Sequence, residues 1–177
     1  MLLSGGRVAF DGPTHEAVVA YRRMLAGERD PEERAAGLKE WGGDVARVEN
    51  VRLLDGDGGE RTQLLAGEPF AIALDIAADA VIAAPRLGWE LRDDAGILVA
   101  AGAVSTSELG WNGDTRALPL RFDSVRPPFA DGRLHLRLDI SDERGETQYH
   151  SLDDALVFVV YPADEGRGLV HLEGIWS

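Results

Sequence analysis

The sequence predicts a mainly β protein: an antiparallel β-sandwich of immunoglobulin-like type with a short strand–helix appendage at its N-terminus. From Trp41 onward, apolar residues alternate with polar ones at a period of two, which is typical of half-buried strands. About eight such runs follow one another with turn residues between them, at the spacing of a sandwich. No intervening segment is helical and long enough to cross between parallel strands, so we expect antiparallel pairing.

Residues 1–26 are expected to be the end of another domain. Val8 and Phe10 alternate with polar neighbours and predict a strand, and Thr14 is a suitable cap for a following helix. The helix would carry one apolar face made by Ala17, Val18, Tyr21, Met24 and Leu25. So small a unit cannot bury that face alone, so its partner is expected outside this chain.

Residues 27–40 are charged and interrupted by proline and glycine, which favours a solvated linker. The predicted sandwich spans residues 41–177. In chain order, its strands are expected at Val48–Leu53, Phe70–Ile76, Leu87–Leu91, Ile97–Val104, Leu118–Phe122, Leu134–Ile140, Ala155–Tyr161 and Leu169–Trp176. The spacing of Val48 and Val51 predicts a bulge, and Pro119 predicts an edge position or a bulge. Asp55–Gly59 is expected to be a glycine-rich hairpin turn.

Composition limits the classes of function. The chain has 177 residues, of which 45% are hydrophobic, enough to bury a substantial core. A net charge of −13 argues against general nucleic-acid binding, which needs a surface that neutralises phosphates. There is no cysteine, which excludes disulfides and thiolate–metal sites and agrees with a cytosolic location. No apolar run is long enough for a membrane-spanning helix.

Motifs for catalysis and metal binding are not found in the sequence. There is no phosphate-binding loop and no G-x-S-x-G elbow. His150-Ser151 with Asp153-Asp154 suggests a hydrolase, but neighbouring residues of a strand point to opposite faces, so this spacing does not assemble a triad. DGDGGE, Asp55–Glu60, departs from the calcium-loop pattern because Gly59 stands where a ligand is required. We therefore expect no catalytic residue, no metal site and no cofactor.

A polar sheet face is the candidate binding site. If Trp89 and the leucines of Leu134–Ile140 point to the core, the opposite face presents Arg86, Glu90, Arg92, Arg133, His135, Arg137 and Asp139. The two strands are expected to be neighbours, with Gly88 leaving a shallow depression between long side chains. Arginine forks and carboxylates suit the paired hydroxyls of a sugar or an acidic group on it. The alternative is an ordinary solvated sheet face.

Tryptophans provide a second signal, because an exposed indole can stack on a sugar ring. Trp111, in the glycine-flanked segment ELGWNGD, is expected to face solvent and to contribute to the site. Trp41 and Trp176 are expected to be structural.

The sequence also resembles a known family. GRVAFDGPTHEAVVAY (Gly6–Tyr21) resembles the end of an ABC-transporter ATPase domain of the polysaccharide-export type. The rest resembles the C-terminal domain of the O-antigen exporter subunit called Wzt. The matching pieces are EWGGDVARVENVRLLDGDG (Glu40–Gly58), LLAGEPFAIALDIAAD (Leu64–Asp79), PRLGWELRDDAGILVAAG (Pro85–Gly102), DGRLHLRLDI (Asp131–Ile140) and GLVHLEGIW (Gly168–Trp176).

This resemblance implies a non-catalytic module that recognises a lipid-linked cell-surface polysaccharide in the cytoplasm and licenses its export. It also implies a homodimer formed by exchange of the last strand, Leu169–Trp176, and a membrane permease reached through the missing ATPase domain. Two alternatives remain open: a structural dimerisation domain that only couples transporter subunits, and a sandwich-fold hydrolase.

Overall fold

The computed structural model describes residues 2–4, 7–12, 39–163, 168 and 170. The chain divides into two compact units, Met1–Gly37 and Leu38–Ser177. In the first unit, β1 (Leu2–Ser4) and β2 (Arg7–Phe10) form an antiparallel pair. The predicted opening strand is therefore present as β2, while β1 was not predicted. The predicted helix after Thr14 and the linker up to residue 38 lie outside the described residues.

The second unit contains ten strands among its described residues. They are β3 (Lys39–Gly42), β4 (Ala46–Asp55), β5 (Glu60–Arg61), β6 (Gln63–Leu65), β7 (Phe70–Ala78), β8 (Arg86–Asp93), β9 (Leu98–Ser105), β10 (Ala117–Ser124), β11 (Gly132–Ser141) and β12 (Gln148–Tyr161). A short 3₁₀ helix, Thr106–Leu109, follows β9.

These strands form two sheets. One has the order β10-β7-β4-β5, and the other has the order β3-β12-β11-β8-β9 with β6 added beside the end of β12. Every pairing is antiparallel except that of β6 with β12. The predicted mainly β, antiparallel two-sheet architecture is confirmed.

The hydrophobic core lies between the two sheets. Ile76 of β7 and Ile140 of β11 are fully buried, and Phe158 of β12 is 1% exposed. The ring of Phe158 lies 6.0 Å from that of Phe70, across the sandwich. Trp89 packs against this cluster from β8, as the alternation predicted. Burial of this apolar surface from both sheets is the main stabilising contribution to the fold.

His150 joins the two sheets through a hydrogen bond in the interior. Its side chain is completely buried on the core side of β12. The backbone N–H of Val48, in β4, donates to His150 Nδ1 at 3.0 Å. Because Nδ1 accepts, Nε2 carries the proton and donates to Glu40 Oε1 of β3, also at 3.0 Å. One imidazole thus connects β4, β12 and β3.

Several local predictions are confirmed. The register of β4 against β7 shifts between Glu49 and Arg52, at the predicted bulge. Pro119 lies in β10, which is an edge strand. Asp55 closes the predicted turn, accepting from the backbone N–H groups of Asp57 and Gly59 through Oδ1.

β12 extends well beyond the predicted strand Ala155–Tyr161, and Asp153 and Asp154 lie inside it. Asp154 has φ 53°, and the register against β11 shifts between Leu136 and Leu138. This irregularity interrupts the alternation that would have marked one long strand. The predicted last strand lies outside the described residues except for Val170, which forms an isolated bridge with Phe129.

Candidate functional site

The outer face, meaning the side of the β3-β12-β11-β8-β9 path opposite to the core, carries the predicted polar residues. β8 and β11 are paired as predicted, with Arg137 opposite Glu90 and His135 opposite Arg92. Residues directly opposite in an antiparallel pair project to the same side of a sheet. The predicted residues on this face are Arg86, Glu90, Arg92, Arg133, His135, Arg137 and Asp139.

At one end of the outer face the polar groups bind one another. Arg92 donates to Glu90 Oε2 through Nε and Nη2, at 3.0 and 2.7 Å. His135 lies between two carboxylates, with Nε2 2.9 Å from Asp94 Oδ1 and Nδ1 2.8 Å from Asp154 Oδ1. These side chains therefore hold neighbouring strands and the β8–β9 turn together.

Electrostatics favour the charged form of His135. Partial burial lowers the pKa of this imidazole, but the hydrogen bonds to Asp94 and Asp154 and the attraction of both carboxylates outweigh burial, so its pKa is raised. Arg133 is more loosely placed, with Nη1 4.0 Å from Asp94 Oδ1. This end of the face is a charge network in which Arg92, Glu90 and His135 are paired with one another or with neighbouring carboxylates.

At the centre of the outer face, the carboxylate of Asp139 lies over Gly88. A β-carbon built on Gly88 would be 2.5 Å from Asp139 Oδ2 and 2.7 Å from Oδ1. The space at Gly88 is therefore occupied by this carboxylate, and the predicted empty depression is wrong. Desolvation of Asp139 raises the pKa of the carboxyl; Arg137 and Arg86 oppose this shift and Glu90 adds to it.

Two arginines flank Asp139 with donors that are not fully used. Arg137 Nη2 donates to Ser151 Oγ at 3.3 Å. Arg137 Nε lies 3.2 Å from Asp153 Oδ1, but the angle is unsuitable, and this buried atom has no hydrogen-bond partner. Arg86 is exposed and makes no ion pair or hydrogen bond with another described residue. The exposed guanidinium of Arg86 and the exposed part of the Arg137 guanidinium are available to a ligand, whereas the buried Arg137 Nε is not.

The strand register sets Asp139 in a continuous row across the outer face. Each residue of this Asp139 row is directly opposite the next on the adjoining strand: Ala103, Gly88, Asp139, Ser151 and Trp41. Ser151 projects outward, toward Arg137, so Trp41 beside it projects to the same side. The indole of Trp41 is 60% exposed. It lies two strands from Asp139, about 10 Å by strand spacing.

The tryptophan predictions are reversed by the structure. Trp111, expected to face solvent, is 4% exposed and belongs to the core cluster. Its segment folds back after the 3₁₀ helix: its backbone N–H donates to Thr106 O, and its indole Nε1 donates to Ile82 O at 3.4 Å. Trp111 is therefore excluded from the site. Trp41, expected to be structural, supplies the exposed indole, and Trp176 lies outside the described residues.

The other motifs also have structural roles. His150 and Ser151 point to opposite faces of β12, as predicted, so they cannot act together. Within the described residues no group of three or more histidine, aspartate or glutamate side chains is arranged to hold a metal ion. In that same part of the chain, no helix is both long and apolar enough to span a membrane.

Charge on the outer face is nearly balanced although the chain is strongly acidic. The cationic side chains are Arg86, Arg92, Arg133 and Arg137, and the carboxylates are Glu90, Asp94, Asp139, Asp153 and Asp154. Among the outer-face side chains that the structure describes, these formal charges sum to one negative, apart from His135, against −13 for the whole chain. Such a face suits a ligand rich in hydroxyl groups better than a polyanion or a polycation.

Fold and site together define an antiparallel β-sandwich module with a polar, nearly neutral sheet face. Residues 38–172 match the sequence profile of the Wzt C-terminal domain, and the chain belongs to that family. The crystal structure of the C-terminal domain of Wzt has the same fold, with a TM-score of 0.66 and 12% identity over 80% of this chain and 88% of that one. The family resemblance stated from the sequence is confirmed.

A second solved structure is less similar. A Niemann-Pick type C2 protein from Japanese carpenter ant aligns with a TM-score of 0.47 and 7% identity over 70% of this chain and 98% of that one. That likeness is too low to support an inference. No curated protein sequence matches the chain.

Sequence reasoning missed Trp41 and Ser151 as members of the outer-face site. Trp41 lies in a four-residue strand, too short to show alternation, and its neighbour Ser151 is 110 positions away. The alternation of Arg137 and Asp139 with buried leucines did place these two residues on the correct face.

Proposed function

We propose that this domain is the non-catalytic polysaccharide-recognition module of an ABC transporter ATP-binding subunit. It binds a lipid-linked, O-antigen-like cell-surface glycan in the cytoplasm, at the inner face of the membrane, and thereby licenses export. Family membership supports the transporter context. The observation that carries glycan recognition is the Asp139 row, where an exposed indole and unused polar groups lie together.

The chemistry of the row fits a sugar ring. A pyranose has an apolar face that an indole can cover and hydroxyls that both donate and accept hydrogen bonds. Trp41 supplies the indole, Asp139 supplies acceptors, and the partly exposed guanidinium of Arg137 supplies donors. Arg86, Glu90, Arg92, Arg133 and His135 surround this centre, and the hydrogen bonds of Arg92 and His135 hold the neighbouring strands in place. Weak binding at one site would be strengthened by presenting two copies.

The homodimer and the permease contact are part of the proposal. Phe122 and Val125, on and just after edge strand β10, are 57% and 73% exposed, which supports an interface on that side of the sandwich. The same observation favours the alternative, a dimerisation domain that couples transporter subunits without binding glycan. The strand–helix segment at residues 1–26 is proposed to be the end of the ATPase domain.

Titration with purified polysaccharide from the source organism distinguishes the two functions. Calorimetry or tryptophan fluorescence should show saturable binding that is lost in Arg137→Ala, while the thermal unfolding midpoint and the oligomeric state remain unchanged. No binding of that polysaccharide by a folded, dimeric protein would instead support the coupling domain.

A further inference from the structure

We propose that the Asp139 row selects a non-acidic sugar unit, with the Asp139 carboxylate accepting hydrogen bonds from two adjacent ring hydroxyls while Trp41 covers the apolar side of the ring. This inference rests on the proposed function and names the class of sugar that the site takes. It concerns uncharged rings as opposed to uronic acids and phosphorylated sugars.

The state of Asp139 is the first argument. An ionised carboxylate is an acceptor only, with about four lone-pair directions to satisfy. Asp139 is half-buried over Gly88, and its oxygens make no hydrogen bond and no ion pair with another described residue. A partly desolvated carboxylate in this state gains most from new donors. Adjacent hydroxyls of a sugar supply two donors with the spacing of the two carboxylate oxygens.

The distribution of charge is the second argument. A ligand carboxylate placed on the row would approach Asp139, and Glu90 and Asp153 lie beside the same centre. The ligand carboxylate and these side-chain carboxylates would repel one another strongly, because solvent is partly excluded from the centre of the face. Arg137 offsets this only in part, because its charge is already paired with Asp153 and its Nη2 already donates to Ser151. Arg86 acts in the opposite direction, because this exposed cation, which makes no ion pair with a described residue, could attract an acidic sugar.

The size of the row is the third argument. All three neighbours of Asp139 in the row are small: Gly88 and Ala103 lie on one side of it, and Ser151 lies on the other. Trp41 closes the row at its edge strand, about two strand spacings from Asp139. The roughly 10 Å between the two positions, by strand spacing, is on the scale of one sugar unit with its hydroxyls, so we infer that one unit contacts both across the small Ser151.

The experiment compares matched pairs of oligosaccharides by nuclear magnetic resonance. The probes are tetrasaccharides of mannose, glucose and galactose, each with the uronic-acid tetrasaccharide that differs only at C6. The reporter is the indole Nε1–H signal of Trp41, with the signals of the partly buried Trp89 and the buried Trp111, both on the core side, as internal controls. At least one neutral probe should shift Trp41 and bind roughly tenfold or more tightly than its uronate partner at pH 7.

Asp139→Asn tests the cause of the discrimination. The amide keeps the shape but loses the charge and half of the acceptors, so neutral probes should weaken and the neutral-to-uronate ratio should fall toward one. If uronates bind the unmodified protein as tightly as neutral probes do, this inference is overturned. Arg86 would then be the residue that binds an acidic sugar. A ratio unchanged in Asp139→Asn would also overturn it. If no probe shifts Trp41, the proposed glycan recognition on this face is itself contradicted.

Discussion

His150 accepts a hydrogen bond from the backbone N–H of Val48 across the interior of the sandwich, at 3.0 Å. The other nitrogen of the same imidazole donates to Glu40, the residue before Trp41. The short strand β3 has few other constraints, because it pairs with β12 over only four residues. The core histidine therefore helps to fix the edge strand that carries the exposed indole.

His150→Ala should destabilise the protein by about 2–4 kcal/mol, because it leaves a cavity and an unpaired buried N–H at Val48. Denaturant unfolding measures this change. The matched variant Glu40→Ala keeps the bond to Val48 but removes the acceptor of the buried Nε2–H, and should cost less, about 1–2 kcal/mol. It should still weaken glycan binding, since β3 becomes less rigid. Equal loss of stability in the two variants would show that the bond to Val48 is unimportant.

Trp41→Ala should reduce affinity for the cognate polysaccharide roughly tenfold or more, equivalent to about 1.4 kcal/mol or more, through loss of the stacking surface. Its effect on unfolding should be small because the side chain is 60% exposed. Val81→Ala is the control, since that side chain is 54% exposed in the connection between β7 and β8, outside both the Asp139 row and the proposed dimer interface. Calorimetric titration of both variants checks this. Similar losses in the two would place the binding surface elsewhere.

Gly88→Ala should displace the Asp139 carboxylate, because the added methyl would lie 2.5 Å from Oδ2. We expect affinity to fall about tenfold and stability to fall by about 1 kcal/mol. Gly56→Ala is the control, because a β-carbon there meets no atom within 4 Å. Binding titrations and unfolding curves of the two variants give the comparison. Normal affinity in Gly88→Ala would mean that the position of Asp139 is not used.

The sheet architecture could be predicted because alternation is a local signal. The leucines of β11 alternate with Arg133, His135 and Arg137, and that pattern alone defines both faces of the strand. The same logic placed β8 beside β11 and so brought the charged residues together. The bulge after Val48 was also visible, since it breaks a regular period.

The exposed aromatic could not be predicted, because its position depends on pairing between distant segments. Trp41 and Trp111 both lie outside alternating runs, so local pattern does not say which is buried. The difference comes from β3 pairing with β12 and from the turn that returns Trp111 to Thr106. Likewise, Gly88 predicted a depression, but the rotamer of Asp139 on the next strand fills it.

The charge network at His135 should make stability depend on pH. Its pKa is raised in the folded state, so its contribution is fully present below the unfolded value of about 6.5 and is lost as pH rises through the folded pKa. The unfolding free energy should therefore fall by about 1 kcal/mol or less between pH 6 and pH 8.5 on this account. His135→Gln should remove this part of the change. An identical pH profile in the variant would contradict the assignment.

Asp139→Asn should stabilise the folded protein at neutral pH while weakening binding. Burial raises the pKa of this carboxyl, so the folded state disfavours its charged form. The penalty develops as pH rises from the unfolded value of about 3.9 through the folded pKa, and it persists at pH 7. Removing the charge should add up to about 1 kcal/mol, reduced by partial exposure, and denaturant unfolding at pH 7 measures it. Residues retained for binding commonly lower stability in this way. If Asp139→Asn instead lowers the free energy of unfolding, the carboxylate stabilises the fold and the prediction is wrong.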